Sequence, residues 1–190
     1  MRKRRPVYFI FCEGKSNKTE VTYLGHFKRA SSTYSLTIKP TDNTNPSSML
    51  GYAVSYSKNH GYNKSSGDMI FLLCDVDTKE KRDNLIEIGI IEKARKKNVI
   101  LLFSNPAFEI WFLNHFALKK RIYQNQKELI ADLKKYLPEY EKNGDVYPLL
   151  DKVDVAIKNS KKQCDLESCL LQENAGTDFY VLVEYLLNNK

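Results

Sequence analysis

The chain has 190 residues, 42% hydrophobic and 28% charged, with 8 Gly and 6 Pro, which describes one domain, or one with a small appendage, and excludes wholesale disorder. Thirty Lys and Arg against 23 Asp and Glu give +7 and a pI near 9.1. This balance favours a polyanionic partner, nucleic acid above all, although a solvated basic surface fits the same numbers.

No apolar run approaches the roughly 20 residues of a membrane span. The basic start is followed by six apolar residues ending at Glu13, too short for a signal-peptide core. The expected location is the cytoplasm, with no membrane partner. Cys12, Cys74, Cys164 and Cys169 form no CxxC pair, which fits a reduced compartment and speaks against zinc.

Residues 7–12 (VYFIFC) form a continuous apolar run of strand length, the pattern of a strand covered on both faces in a parallel sheet. Glu13-Gly14 ends it. Asn17 and Glu20 have capping-box spacing, and the helical period that follows predicts a helix over 17–30. Residues 35–39 (SLTIK) alternate as a weaker strand. A polar loop over 41–48 leads to a Tyr-rich helix near 49–60.

Residues 69–74 (MIFLLC) make a second apolar strand running into Asp75-Val76-Asp77, an amphipathic helix is expected over 79–98, and residues 99–103 (VILLF) make a third central strand. In Ser104-Asn105-Pro106, Asn105 reads as an N-cap and Pro106 as the first helical residue, opening a buried aromatic helix over 107–118. Helices without intervening strands are expected over 126–137, 149–159 and 177–188. The expected fold is therefore α/β, a mostly parallel sheet flanked by helices (1–118), with a helical C-terminal extension packed on it (119–190).

Three junctions put carboxylates where a buried strand gives way to a loop or helix: Glu13, Asp75 with Asp77, and Glu109. Parallel strands expose their carboxyl ends along one edge, where open α/β sheets bind ligands. Alternation along an extended chain turns Val76 inward and both aspartates outward. Crowded carboxylates repel unless a cation intervenes, and oxygen-only ligands select a hard ion such as Mg²⁺.

Each residue also has a plainer use. A DxD can be a turn or cap, Glu109 can complement a helix dipole, Glu20 can complete a cap, and His115 suits a core position. Lys15, Lys18, Lys79, Lys81 and Arg82 form a basic rim suited to phosphates, or ordinary charged helix starts. Ser104 and Asn105 can donate to a phosphate. The run Arg2 to Arg5 can touch phosphates as an arm, and Lys93, Arg95, Lys96 and Lys97 suit a solvated helix end.

An apolar strand ending in Glu13-Gly14 and another ending in Asp75-x-Asp77 resemble the Toprim domain, the magnesium-binding unit of topoisomerases, primases and OLD-type nucleases. More narrowly, several segments together resemble the RloB-like family: Cys12-Glu13-Gly14 with Thr19-Glu20 and Tyr23, then LLCDVD, then the block SNPAFEIWFLNHF from Ser104 to Phe116, then residues 174–187. The spacer Lys15-Ser16-Asn17-Lys18 is longer than the family pattern.

The resemblance implies that Glu13 acts as metal ligand or general acid/base and that Asp75 and Asp77 hold Mg²⁺ (or Mn²⁺), with His115 a secondary candidate; Glu109 joins the catalytic candidates by its place just past the third apolar strand. It implies a nuclease of DNA or RNA, the effector of an anti-phage defence system working with an ATPase partner. A homo-oligomer is left open. A Walker A loop is absent, since Glu13-Gly14-Lys15-Ser16 lacks the preceding Gly and spacer. Two other readings stay open: a catalytically silent subunit that binds nucleic acid or a partner, and a phosphotransferase or phosphatase acting on a small substrate.

Overall fold

Residues 4–14, 19–42, 45–141, 144 and 147–189 are described by the computed structural model. The apolar runs form β1 (Val7–Glu13), β3 (Met69–Asp75) and β4 (Val99–Asn105), with β2 (Ser35–Thr41) outside β1. These four strands are parallel, and a short β5 (Gly176–Thr177) pairs antiparallel with β4, giving the order β2-β1-β3-β4-β5. The fold is α/β, as the strand and helix alternation predicts.

Alternation within each strand divides its side chains between two cores. Tyr8, Ile10, Cys12, Phe71, Leu73 and Leu102 pack under α1 (Thr19–Ala30), α5 (Glu109–Asn114), α6 (Gln126–Lys134), α7 (Val153–Lys161) and α8 (Tyr180–Asn188). Phe9, Phe11, Leu72, Cys74, Leu101 and Phe103 pack under α2 (Pro46–Asn59), α3 (Lys79–Glu87) and α4 (Ile90–Lys96). Covering on both faces explains why the central strands carry no polar alternation.

Several boundaries differ from the sequence expectation. Gly89 adopts a left-handed conformation with φ 59°, so the helix expected over 79–98 breaks into α3 and α4. Asn105 is the last residue of β4, joined to Pro106 by a cis peptide, and α5 starts only at Glu109. Asn105 is therefore no N-cap. The helix expected from 149 opens as a 3₁₀ turn (Tyr147–Lys152) before α7, and Thr177 lies in β5, not in α8. The C-terminal segment thus adds a strand to the sheet. Cys164 and Cys169 meet in a disulfide, which departs from the reduced thiols expected of all four cysteines, whereas Cys12 and Cys74 are buried and outside any disulfide.

Asp178 fastens that returning segment. Fully buried, it accepts the Phe103 N–H on one carboxyl oxygen and the Glu167 N–H, at 2.8 Å, on the other. Burial pushes its carboxyl up to about 8, against the pull of these N–H donors. With the native value above the unfolded one, the native state holds the extra proton, so this group's contribution is complete below about pH 4 and is lost as pH rises through about 8. Asp178→Ala, which orphans the buried Phe103 N–H and the part-buried Glu167 N–H, is expected to cost at least about 2 kcal/mol by urea unfolding. Asp178→Asn should cost less and should flatten part of the wild-type fall in stability between pH 5 and 8.

Candidate active site

Glu13 is the last residue of β1 and Asp75 the last of β3, so the parallel arrangement sets both at the same edge of the sheet. Gly14 follows with φ 96° and donates its N–H to the Thr41 carbonyl at 2.7 Å, turning the chain away from the strand end. Val76 donates to the Ser104 carbonyl at 2.7 Å and buries its side chain. Asp75 and Asp77 lie on either side of it, and the Asp77 side chain is 53% exposed. Glu13, Asp75 and Asp77 line one cavity of about 550 Å³, with Thr78, Ala107, Asn125, Gln126 and Lys127.

Thr78 caps α3 by accepting the Lys81 N–H at 3.1 Å. The cap places Lys81 in the first turn, and its ammonium reaches back to both oxygens of Glu13, at 3.0 and 3.3 Å, and to Asp77 at 3.5 Å. Burial works against that charge, yet Glu13, Asp77 and Asp75 outweigh it and hold the Lys81 pKa above its ordinary value.

Asp75 stands in the opposite situation. Burial, then the charges of Glu20, Glu109 and Glu13, drive its carboxyl well above the usual carboxylate range, and Lys81 only partly opposes them. Glu109 is buried and accepts from Gln126 Nε2 at 2.9 Å and from the Tyr140 hydroxyl at 3.2 Å. Burial, followed by the Glu109 charge, raises the Tyr140 phenol in turn, so its proton stays on the bond to Glu109.

The donor set is oxygen-only and carries more negative charge than Lys81 offsets, which suits a hard divalent cation. Among the described residues no group of three or more His, Cys, Asp or Glu side chains is placed so that it could hold a metal ion. The cationic place between Glu13 and Asp77 is taken by the Lys81 ammonium.

The other expected site residues separate from this group. Ser104 bonds Thr177 through paired hydroxyls at 2.9 Å. Asn105 spends its amide on the carbonyls of Gln172, Glu173 and Asn174, at 3.0–3.1 Å. Both are buried and hold the C-terminal segment against β4. His115 sits in the aromatic core, donating from Nδ1 to the Trp111 carbonyl at 2.8 Å, and burial lowers its pKa to about 4. It is a neutral core histidine there.

Lys79 and Arg82 line a second cavity, and Lys15 and Lys18 lie outside the described residues. Arg2 also lies outside them, while Arg4 pairs with buried Asp68 at 3.0 Å. Arg95 pairs with Glu92 and Glu167, as suits a solvated helix end.

Sequence reasoning assigned Glu20 to a cap and Lys81 to a rim, and it had no role for Gln126 or Tyr140. The signal for Glu20 was the Thr19-Glu20 pair within the family-like motif. For Lys81 it was the position three residues after the cap Thr78, which returns a long side chain toward the strand ends.

The family model described as RloB-like protein matches residues 8–186, and the chain belongs to that family. No curated protein and no solved structure matches the chain.

A centre built of repelling carboxylates gives up stability. Asp75→Asn removes the most strongly opposed charge while keeping the shape, and in EDTA at pH 7.5 it is expected to raise Tm by about 2–4 °C. The gain should vanish toward pH 4, where wild-type Asp75 is itself protonated. Differential scanning calorimetry at the two pH values reads both effects.

Proposed function

We propose that this chain is a divalent-cation-dependent phosphodiesterase acting on DNA or RNA, a Toprim-like nuclease centred on Glu13, Asp75 and Asp77. One observation carries the reading: the carboxyl of Asp75 is opposed by burial and by the carboxylates of Glu20, Glu109 and Glu13 at once, and the Lys81 ammonium offsets them only in part. Such an arrangement is costly unless a cation binds.

Mg²⁺ or Mn²⁺ fits these donors, with Glu13, Asp75 and Asp77 the residues that would hold it. When bound, the ion supplies charge for the phosphoryl oxygens and lowers the pKa of a coordinated water. The remaining chemistry belongs to the chain. Glu13 is ligand or proton acceptor at the strand end, and Lys81, released from Glu13 and Asp77, turns its charge to the phosphate. Glu109, oriented by Gln126 and Tyr140, adds the negative field that makes Asp75 prefer a cation over solvent. The +7 net charge supports a polyanionic substrate.

Membership of the RloB-like family and the Toprim-like motifs extend the reading. The chain acts in the cytoplasm as the cutting effector of an anti-phage defence system beside an ATPase, itself hydrolysing no nucleotide for energy. One observation favours a second reading, a silent nucleic-acid- or partner-binding subunit: Lys81 already supplies a positive charge between Glu13 and Asp77.

Incubating the protein with labelled DNA and RNA in Mg²⁺, Mn²⁺ or EDTA separates the two. Cleavage is expected only with a divalent ion, reduced at least about 100-fold in folded Glu13→Gln and Asp75→Asn. Binding without cleavage under every condition selects the silent subunit, and cleavage surviving both substitutions removes the proposed centre. Because protons compete for Asp75, whose pKa is raised, the thermal shift produced by Mn²⁺ should shrink as the pH is lowered.

A further inference from the structure

Beside the acidic cavity lies a second one of about 290 Å³, and the two share Asp77 and Thr78. Its walls include Lys79 and Arg82 from the first turn of α3, Tyr123 and Gln124 from the segment before α6, and Glu173 from the segment before β5. The two cavities differ in charge. Lys79 and Arg82 set two cations against Asp77 and Glu173 in this one, whereas the other gathers Glu13, Asp75 and Asp77 against Lys127.

Arg82 is the unusual member. Its Nε is buried and meets no acceptor among the described residues, and none of the ion pairs among those residues includes its guanidinium. A buried guanidinium N–H without an acceptor is costly, and phosphate oxygens match the planar fork best. Lys81, one residue earlier, turns instead to Glu13 and Asp77. Successive residues of one helical turn therefore serve the two cavities separately.

We propose that this second cavity is a phosphate subsite, in which Arg82, seconded by Lys79, takes the phosphodiester next along the strand from the one seated at Glu13, Asp75 and Asp77. The subsite rests on the nucleic-acid reading above and deepens it by fixing where the strand runs. Glu173 on the same wall repels a further phosphate, so the cavity takes one phosphate with the neutral sugar and base turned toward Glu173. The volume suits one nucleotide unit and no duplex, which makes a single strand or a frayed end the substrate.

Binding separates this subsite from catalysis. Fluorescein-labelled 12-nucleotide single strands of DNA and RNA, and the corresponding duplex, are titrated with the full chain in Ca²⁺ by anisotropy, from 50 to 300 mM KCl. The expected result is tighter binding of single strands than of duplex. In Arg82→Ala, affinity should fall about 3- to 10-fold near 0.1 M salt, and the slope of log K against log salt should shrink by about 0.7, one phosphate contact on a single strand. Arg82→Lys should keep the slope and lose part of the affinity. An unchanged Mn²⁺ thermal shift in Arg82→Ala shows the fold and acidic cluster intact.

Equal slopes and affinities for wild type and Arg82→Ala overturn the subsite even if cleavage is found. A slope lost in Arg82→Ala with no cleavage by any protein upholds the subsite and removes the hydrolytic reading. Wild-type protein that binds duplex more tightly than single strands overturns the substrate assignment.

Discussion

Carboxylates of like charge crowd one end of this sheet, and the Lys81 ammonium forms ion pairs with two of them. Glu13 and Asp75 end adjacent strands, Glu20 and Glu109 close on Asp75 from α1 and α5, and Asp77 completes the set. Unit charges about 4 Å apart interact by roughly 4 kcal/mol at an effective dielectric near 20. A fold selected for stability alone would not gather them. The two hydrophobic cores on either side of the sheet supply the rigidity that holds the carboxylates in place despite their repulsion.

Much of this was legible in the sequence, because strand ends are local events. Residues 7–12, 69–74 and 99–103 switch from continuous apolar to polar at Glu13, Asp75 and Ser104, and three of the parallel strands, with their common edge, follow from that switch. The short fifth strand was not legible. Gly176–Thr177 is two residues long and leaves no periodicity, since its place is set by pairing with Ser104 and Asn105, distant in sequence. The break at Gly89 was visible only as a glycine in an otherwise helical period.

The site was legible to the same degree. Glu13, Asp75 and Asp77 meet because backbone direction fixes them, and Glu109 joins through its place just after the third apolar run. Glu20 and Lys81 were legible only as a cap residue and a surface charge. What gives them a role is tertiary: α1 crosses the carboxyl edge near Asp75, and the Thr78 cap aims the first turn of α3 back toward Glu13. Ser104 and Asn105 fail as phosphate donors for the converse reason, since a partner distant in sequence had already claimed their hydrogen-bonding groups.

That claim shapes the whole edge. Because the returning segment occupies the end of β4 through Asn105, Thr177 and Asp178, the open part of the edge is confined to β1 and β3 and to the helices that start or pass there. Acidic side chains enter from β1, β3, α1 and α5, whereas cationic ones enter from the first turns of α3 and α6. The charge boundary runs between Lys81, which faces Glu13 and Asp77, and Arg82, whose Nε faces no described acceptor. An anionic chain laid across that boundary meets fixed positive charge on one side, and on the other it needs a mobile cation before it can approach. The described charges thus leave the acidic half with an excess of carboxylates, while in the other half Lys79 and Arg82 stand against Asp77 and Glu173.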